Sequence, residues 1–467
     1  MLIRRALHWL LRRKIELGVF LIGVLLRRSM LSNYHFLWNY DTDGHWELVT
    51  WIADHWMVPN VESTFESFHP PLFYGLAAWL VRHGVTREHL VRLSVISGII
   101  RLATIWAGLE LYLRGSRLAR VMALALAAVV CASVQIDGMT SGESLNCTLT
   151  AIAMLLIPLA FRRTGRFRWP LTLLTGFVLG LAILTKVSTI AIVGALGVGV
   201  GLEFLLARRN LRERIQALVP WIGMLAVFLG ICGWYYGRNL RQYGTPFVTS
   251  FDLPTQHWLV ADVEKKSLWD RRGMGFVLGW DFGLYESPYR PAGLGAHPRF
   301  FPVLIAASVV DYWRFGYSGY EGRNPDGTGS GVREIGDLRG PSRLAMIGGT
   351  AIFFAAAIAW FAAMHRLLRR RDMGRVVLLL GPFFTLLAAL QFATAFPIDD
   401  YGVIKGAYVT FGAPAFYGLF GVAAGWAQRQ PIRWPLLGVL VFALWFVAAY
   451  TFDCRLGIPL FPVSSQP

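Results

Sequence analysis

Two carboxylates, Asp41 and Asp43, stand in the segment NYDTDGHWELVTWIADHW, with His45 two residues further on. A carboxylate in this place, just beyond a first apolar run, can take the proton from an acceptor hydroxyl as a general base. Each has a plainer reading. Asp is a favoured N-cap, so Asp43 fits the start of the helix that follows, and Asp41 fits a solvated loop acid. Glu143 opens a later apolar run close to Asp137. With Asp41 and Asp43 it could form a carboxylate cluster of the kind that holds Mg²⁺ or Mn²⁺. CxxC and HExxH are absent from the sequence, and Cys131, Cys147, Cys232 and Cys454 follow no disulfide or zinc spacing.

The elements that position these groups are set by hydropathy. The 467 residues are 55% apolar and only 16% charged, with a mean hydropathy of +0.48. Soluble domains carry about a quarter charged residues, so this exterior suits lipid. A span needs about 20 mostly apolar residues. Runs near 16–30, 89–113, 120–137, 143–161, 169–185, 187–206, 217–235, 344–364, 376–396, 407–427 and 434–452 predict an all-α polytopic membrane protein with about eleven transmembrane helices.

The net charge of +17 is a topology signal. Segments 1–14, 114–120, 162–168, 208–215, 366–375 and 428–433 hold 23 of the 45 Lys and Arg, with Glu213 and Asp372 their only acids. Every second loop is therefore basic, which places those loops and the N-terminus in the cytoplasm and the C-terminus outside. With the charge so distributed, nucleic acid is not expected as a partner. The first apolar run lacks a small-residue cleavage site and reads as a retained helix.

Two loops on the outer side are long, 31–88 and 236–343, and long loops on one face are where function is expected. They divide the chain into an N-terminal membrane module, 1–235, a large external loop, 236–343, and C-terminal membrane helices, 344–467. In the first loop His45, Leu48, Val49, Ile52 and Trp56 recur at helical spacing opposite Glu47, Thr50 and Asp54, predicting an amphipathic helix at the membrane interface. A shorter helix is predicted from Pro70–Pro71 through LFYGLAAWLV. The large loop is rich in Gly, Pro, Tyr and Trp. No internal repeat and no pair of broken spans is visible.

Together the loop pattern of Asp41, His45, an amphipathic helix and HPPLFY (69–74) resembles the first external loop of GT-C glycosyltransferases, near protein O-mannosyltransferases, the lipid A aminoarabinose transferase and bacterial family-39-like enzymes. Four further segments fit in order: GESLNCTLTAIAMLL (142–156), GLAILTKVS (180–188), GRNLRQYGTPF (237–247) and PVLIAASVVDYWRFGY (302–317). They cover about two-thirds of the chain. The family often has Asp-Glu where this chain has Asp41-Thr42, which leaves Asp43 as a rival to Asp41.

The resemblance implies a GT-C fold and an inverting enzyme, a hexosyl- or pentosyltransferase, that moves one sugar from a polyprenyl-phosphate donor to a lipid, glycan or protein acceptor. Asp41 or Asp43 would be the base. A phosphate leaving group is already acidic, so the chemistry asks for cations rather than a general acid. Arg238, Lys186, Arg28 and Arg27 fall at helix ends at headgroup depth, where snorkelling is the competing explanation. His45, Glu143, His69, Tyr243 and Lys405 are candidates for sugar or acceptor contact, and the two histidines fit a structural role equally well. Relatives imply no metal, with a divalent cation at the carboxylate cluster as the alternative. Arg101, mid-span, reads as an internal structural charge. The expected setting is a bacterial inner membrane with the active site on the periplasmic side. A flippase of lipid-linked sugar would instead place charges deep in several spans, and a ligase moving a whole glycan would share the external cations.

Overall fold

A computed structural model describes residues 13–33, 42–162, 167–207, 210–249, 273–288, 299–312, 339–395 and 404–456. All elements in these residues are helical. In chain order they are α1 (Lys14–Asn33), α2 (Thr42–His55), α3 (Leu72–Arg82), α4 (Arg87–Tyr112), α5 (Arg117–Val129), α6 (Cys131–Ile136), α7 (Glu143–Arg162) and α8 (Arg168–Thr185). A 3-10 turn at Val187–Thr189 leads into α9 (Ile190–Leu206), followed by α10 (Leu211–Tyr243), α11 (Gly273–Leu278), α12 (Phe300–Val309), α13 (Arg339–Arg370) and α14 (Met373–Ala395). A second 3-10 turn, Gly406–Gly412, precedes α15 (Ala413–Ala427), and α16 (Arg433–Leu456) is last.

Nine helices among the described residues are long and apolar enough to cross a membrane. The two other expected spans depart for physical reasons. α1 carries Glu16, Arg27 and Arg28 within one membrane thickness. The run 120–137 is broken into α5 and α6 at Val130, whose ψ of 122° leaves the helical region. α10 also runs past the expected boundary at 235 to Tyr243, where Gly244 ends it in the left-handed conformation at φ 72°. Its other end is capped by Asn210, whose side chain accepts from the Glu213 amide.

The break at Val130 is tied to buried charge. A helix leaves its last carbonyls without internal partners. The Arg27 guanidinium donates to the Ala127 and Ala128 carbonyls at 3.3 and 3.2 Å, so α1 supplies the missing donors at the end of α5. Its Nε lies 2.8 Å from an Asp137 oxygen, and Arg101 on α4 reaches the same oxygen at 2.7 Å. Ser144 on α7 donates to the other Asp137 oxygen at 2.5 Å. All three charged side chains are buried. Charge inside a membrane bundle is tolerated when it is paired in this way. Gly98 makes room for the arrangement, because a Cβ there would overlap the Asp137 carboxylate.

The predicted amphipathic helix is α2, with Leu48, Val49 and Ile52 buried against Phe73, Tyr74, Ala77 and Ala78 of α3. Trp56 departs from the expected stripe. The helix ends at His55, and Trp56 takes φ 52° and stays exposed under the Arg82 guanidinium.

Candidate active site at one end of the bundle

Contacts gather α2, α3, the start of α7, the end of α8 and the end of α10 at one end of the bundle. Gly142, just before α7, faces the Thr185 carbonyl at the end of α8 and Phe73 of α3. From α10, the Tyr236 hydroxyl donates to the Ile183 carbonyl of α8 at 2.7 Å. The neighbouring Tyr235 hydroxyl donates to the carbonyls of Phe68 and His69, both at 3.2 Å. The HPP turn is thus held by α10. Sequence segments that lie more than a hundred residues apart converge here.

Glu143 begins α7 and Lys186 follows the last residue of α8; the two side chains form an ion pair. The Lys186 Nζ stands 5.0 Å from the centre of the Tyr408 ring, and the Lys405 Nζ stands 5.3 Å from the same ring. Two ammonium groups therefore lie beside one tyrosine ring, and one of them is paired with a carboxylate. Cations placed in this way can stabilise an anion brought beside them.

Arg238, near the end of α10, reaches into the first loop. Its Nη1 donates to the Pro59 and Val58 carbonyls at 3.1 and 3.4 Å, and its guanidinium lies 5.1 Å from the Tyr235 ring centre. Tyr243 accepts from the Val61 amide at 3.1 Å and donates to Glu62 at 2.9 Å. Both α10 residues brace the loop that leads to the HPP turn.

Asp43 lies in the first turn of α2, fully open to solvent, and pairs with Arg87 at 3.0 Å. Asp41 lies outside the described residues. Arg27 is withdrawn from headgroup depth into the Asp137 pair, whereas Arg28 is exposed. Arg101 makes the internal pairing its position mid-span suggests.

The histidines form a group that spacing did not reveal. His45 is buried and its Nδ1 is 2.8 Å from the Tyr74 hydroxyl. His69 pairs through Nε2 with Glu66 at 2.8 Å, and the His45 and His69 rings are 5.4 Å apart. Each of His45, Glu66 and His69 offers a ligand atom within 4.8 Å of the other two. Glu66 was not a sequence candidate. The E-x-x-H spacing of Glu66 and His69 was the available signal, but it sits outside any predicted helix.

The large-loop motif is joined to the bundle through Asp311, which pairs with Arg455 of α16 at 3.3 Å and accepts from Gln135 of α6 at 3.4 Å. The sequence GRNPDGTGSG at 322–331 lies outside the described residues.

No protein-family profile matches the chain, and no curated protein matches it significantly in sequence. Solved structures do match. An oligosaccharyltransferase, AglB from Archaeoglobus fulgidus, in complex with an inhibitory peptide and a dolichol-phosphate, aligns with a TM-score of 0.54 at 14% identity, over 96% of this chain and 56% of that one. A second structure of the Archaeoglobus fulgidus enzyme, in complex with Zn and sulfate, gives 0.53 at 14% identity, over 94% and 53%. ArnT from Cupriavidus metallidurans, bound to undecaprenyl phosphate, gives 0.39 at 15% identity, over 92% and 84%. The chain spans a little over half the length of the oligosaccharyltransferase. It has the GT-C fold and is an integral membrane protein.

Proposed function

We propose that the protein is a glycosyltransferase that takes a single sugar from a polyprenyl phosphate and passes it to an acceptor hydroxyl at the end of the bundle carrying α2 and α3. The observation that carries this reading is the pair of cations, Lys186 and Lys405, around Tyr408 and next to Glu143. A phosphodiester needs such charge as its bond to the sugar breaks.

In this reading the acceptor oxygen attacks C1 of the donor sugar from the face opposite the phosphate. The C1–O bond breaks, its electron pair leaves with the polyprenyl phosphate, and the configuration at C1 inverts. The acceptor proton passes to Asp41 or Asp43. Lys186 and Lys405 hold the departing phosphate, and Arg238 holds the first loop over it. The positive-inside pattern puts this end on the periplasmic or extracellular side. His45 and His69 then line the loop near the acceptor, and Tyr243 and Glu143 position neighbouring groups.

A glycan ligase is the second reading, supported by the shared fold with an oligosaccharyltransferase. Native mass spectrometry with a short-chain polyprenyl phosphate tests the anion site common to both. One bound lipid phosphate is expected, displaced at least tenfold more readily from Lys186→Met. Equal retention by wild type and variant would remove the basis of the proposal.

A further inference from the structure

We propose that His45, Glu66 and His69 form a binding site for one divalent transition-metal ion of the zinc class, which fastens the HPP turn to the first turn of α2. Two imidazoles and one carboxylate are a ligand set that zinc uses in three-ligand sites, with a fourth position left for water. Zinc bonds of about 2.0–2.1 Å put tetrahedral ligand atoms about 3.3 Å apart. The three donors here lie within 4.8 Å of one another, and the Glu66–His69 pair is already at 2.8 Å. Small side-chain rotations close the difference.

The surroundings are built to bring these donors together. Glu66 and His69 sit on a tight turn, with the His69 amide donating to the Glu66 carbonyl at 3.0 Å and the Ser67 amide to the Thr64 carbonyl at 3.2 Å. The Ser67 and Thr64 hydroxyls are 2.7 Å apart and brace that turn. On the other side, Gly44 leaves space for the Glu66 side chain, since a Cβ at position 44 would come 2.8 Å from Glu66 Cγ. The Glu66 side chain is only 2% exposed. The Tyr74 hydroxyl fixes the His45 ring, as outer partners of metal-bound histidines do. Two histidines and a buried glutamate thus converge from α2 and the turn before α3, with orienting partners in place. The inference is independent of glycosyl transfer, and its test reads metal rather than turnover.

The full chain in nanodiscs, stripped with chelator and dialysed against ZnCl₂, is analysed by elemental mass spectrometry and by thermal unfolding. One zinc per chain and a raised unfolding midpoint are expected. Glu66→Gln and His69→Gln should each drop zinc to background, whereas His83→Gln, at an exposed position outside the group, should keep it. Tyr74→Phe should weaken binding by about 10- to 100-fold. Because a variant could lose zinc by misfolding, Co²⁺ is also added to wild type alone, where visible ligand-field absorption of a four-coordinate ion is expected. Absence of both bound zinc and that absorption in wild type would overturn the proposal. So would unchanged zinc stoichiometry in folded Glu66→Gln/His69→Gln protein.

Discussion

Replacing Lys186 by Met separates a structural ion pair from a functional cation. The Lys186 and Glu143 side chains are 17% and 7% exposed, so the pair is largely desolvated. Removing one partner of a buried pair costs about 3–5 kcal/mol, because the other charge is left uncompensated. The residual exposure of Lys186 favours the low end, about 3 kcal/mol. Replacing both partners by neutral groups of similar size leaves little net cost. Lys186→Met/Glu143→Gln should therefore unfold near the wild-type midpoint, while Lys186→Met alone unfolds well below it. Activity should not follow stability. A charge-assisted contact to the donor phosphate is worth about 1.5–3 kcal/mol, so both variants should lose about 10- to 150-fold in transfer. Thermal unfolding in detergent and release of free polyprenyl phosphate measure the two quantities on the same preparations. If the double variant recovers transfer together with stability, Lys186 only neutralises Glu143, and the donor-phosphate argument fails.

Asp43→Asn should change stability by less than about 1 kcal/mol, since its partner is a surface ion pair with Arg87. One of Asp43→Asn and Asp41→Asn should lose transfer by about 10² or more; near-normal turnover in both would remove the carboxylate base. Asp137→Asn strands two buried guanidinium groups and should cost about 3–5 kcal/mol, seen as a lowered unfolding midpoint, and an unchanged midpoint would contradict the pairing role. Arg238→Ala releases the Val58 and Pro59 carbonyls and should weaken lipid-phosphate binding several-fold in native mass spectrometry; unchanged binding would confine Arg238 to bracing the loop.

Much of this architecture was legible because its signals are local. Hydropathy alone marks the apolar runs, and the 3.6-residue stripe of Leu48, Val49 and Ile52 marks α2 before any packing is known. Pro71 at the start of α3 and Gly244 after α10 act in the same local way. The break at Val130 was not legible. The residues around it, AVVCASV, contain neither Pro nor Gly, and the helix ends there where Arg27, about a hundred residues earlier, caps the exposed carbonyls. The fate of Arg27 was hidden for the same reason. At a helix end, a basic residue that snorkels and one that turns inward have the same sequence signature, and only Asp137 distinguishes them. In the site, the Lys186–Glu143 pairing joins two motifs recognised separately, whereas Glu66 emerges only when the HPP turn folds back on α2.

The central claim concerns bond breaking at a lipid-linked sugar. Its most direct measurement is release of free polyprenyl phosphate when purified protein in nanodiscs meets a panel of labelled polyprenyl-phosphate sugars and a cell-envelope extract as acceptor. Release of the lipid phosphate from one donor in the panel, in step with an acceptor glycoside of inverted configuration at C1, is the predicted result. Every donor remaining intact, while labelled lipid crosses the bilayer of sealed vesicles containing the protein, would contradict it.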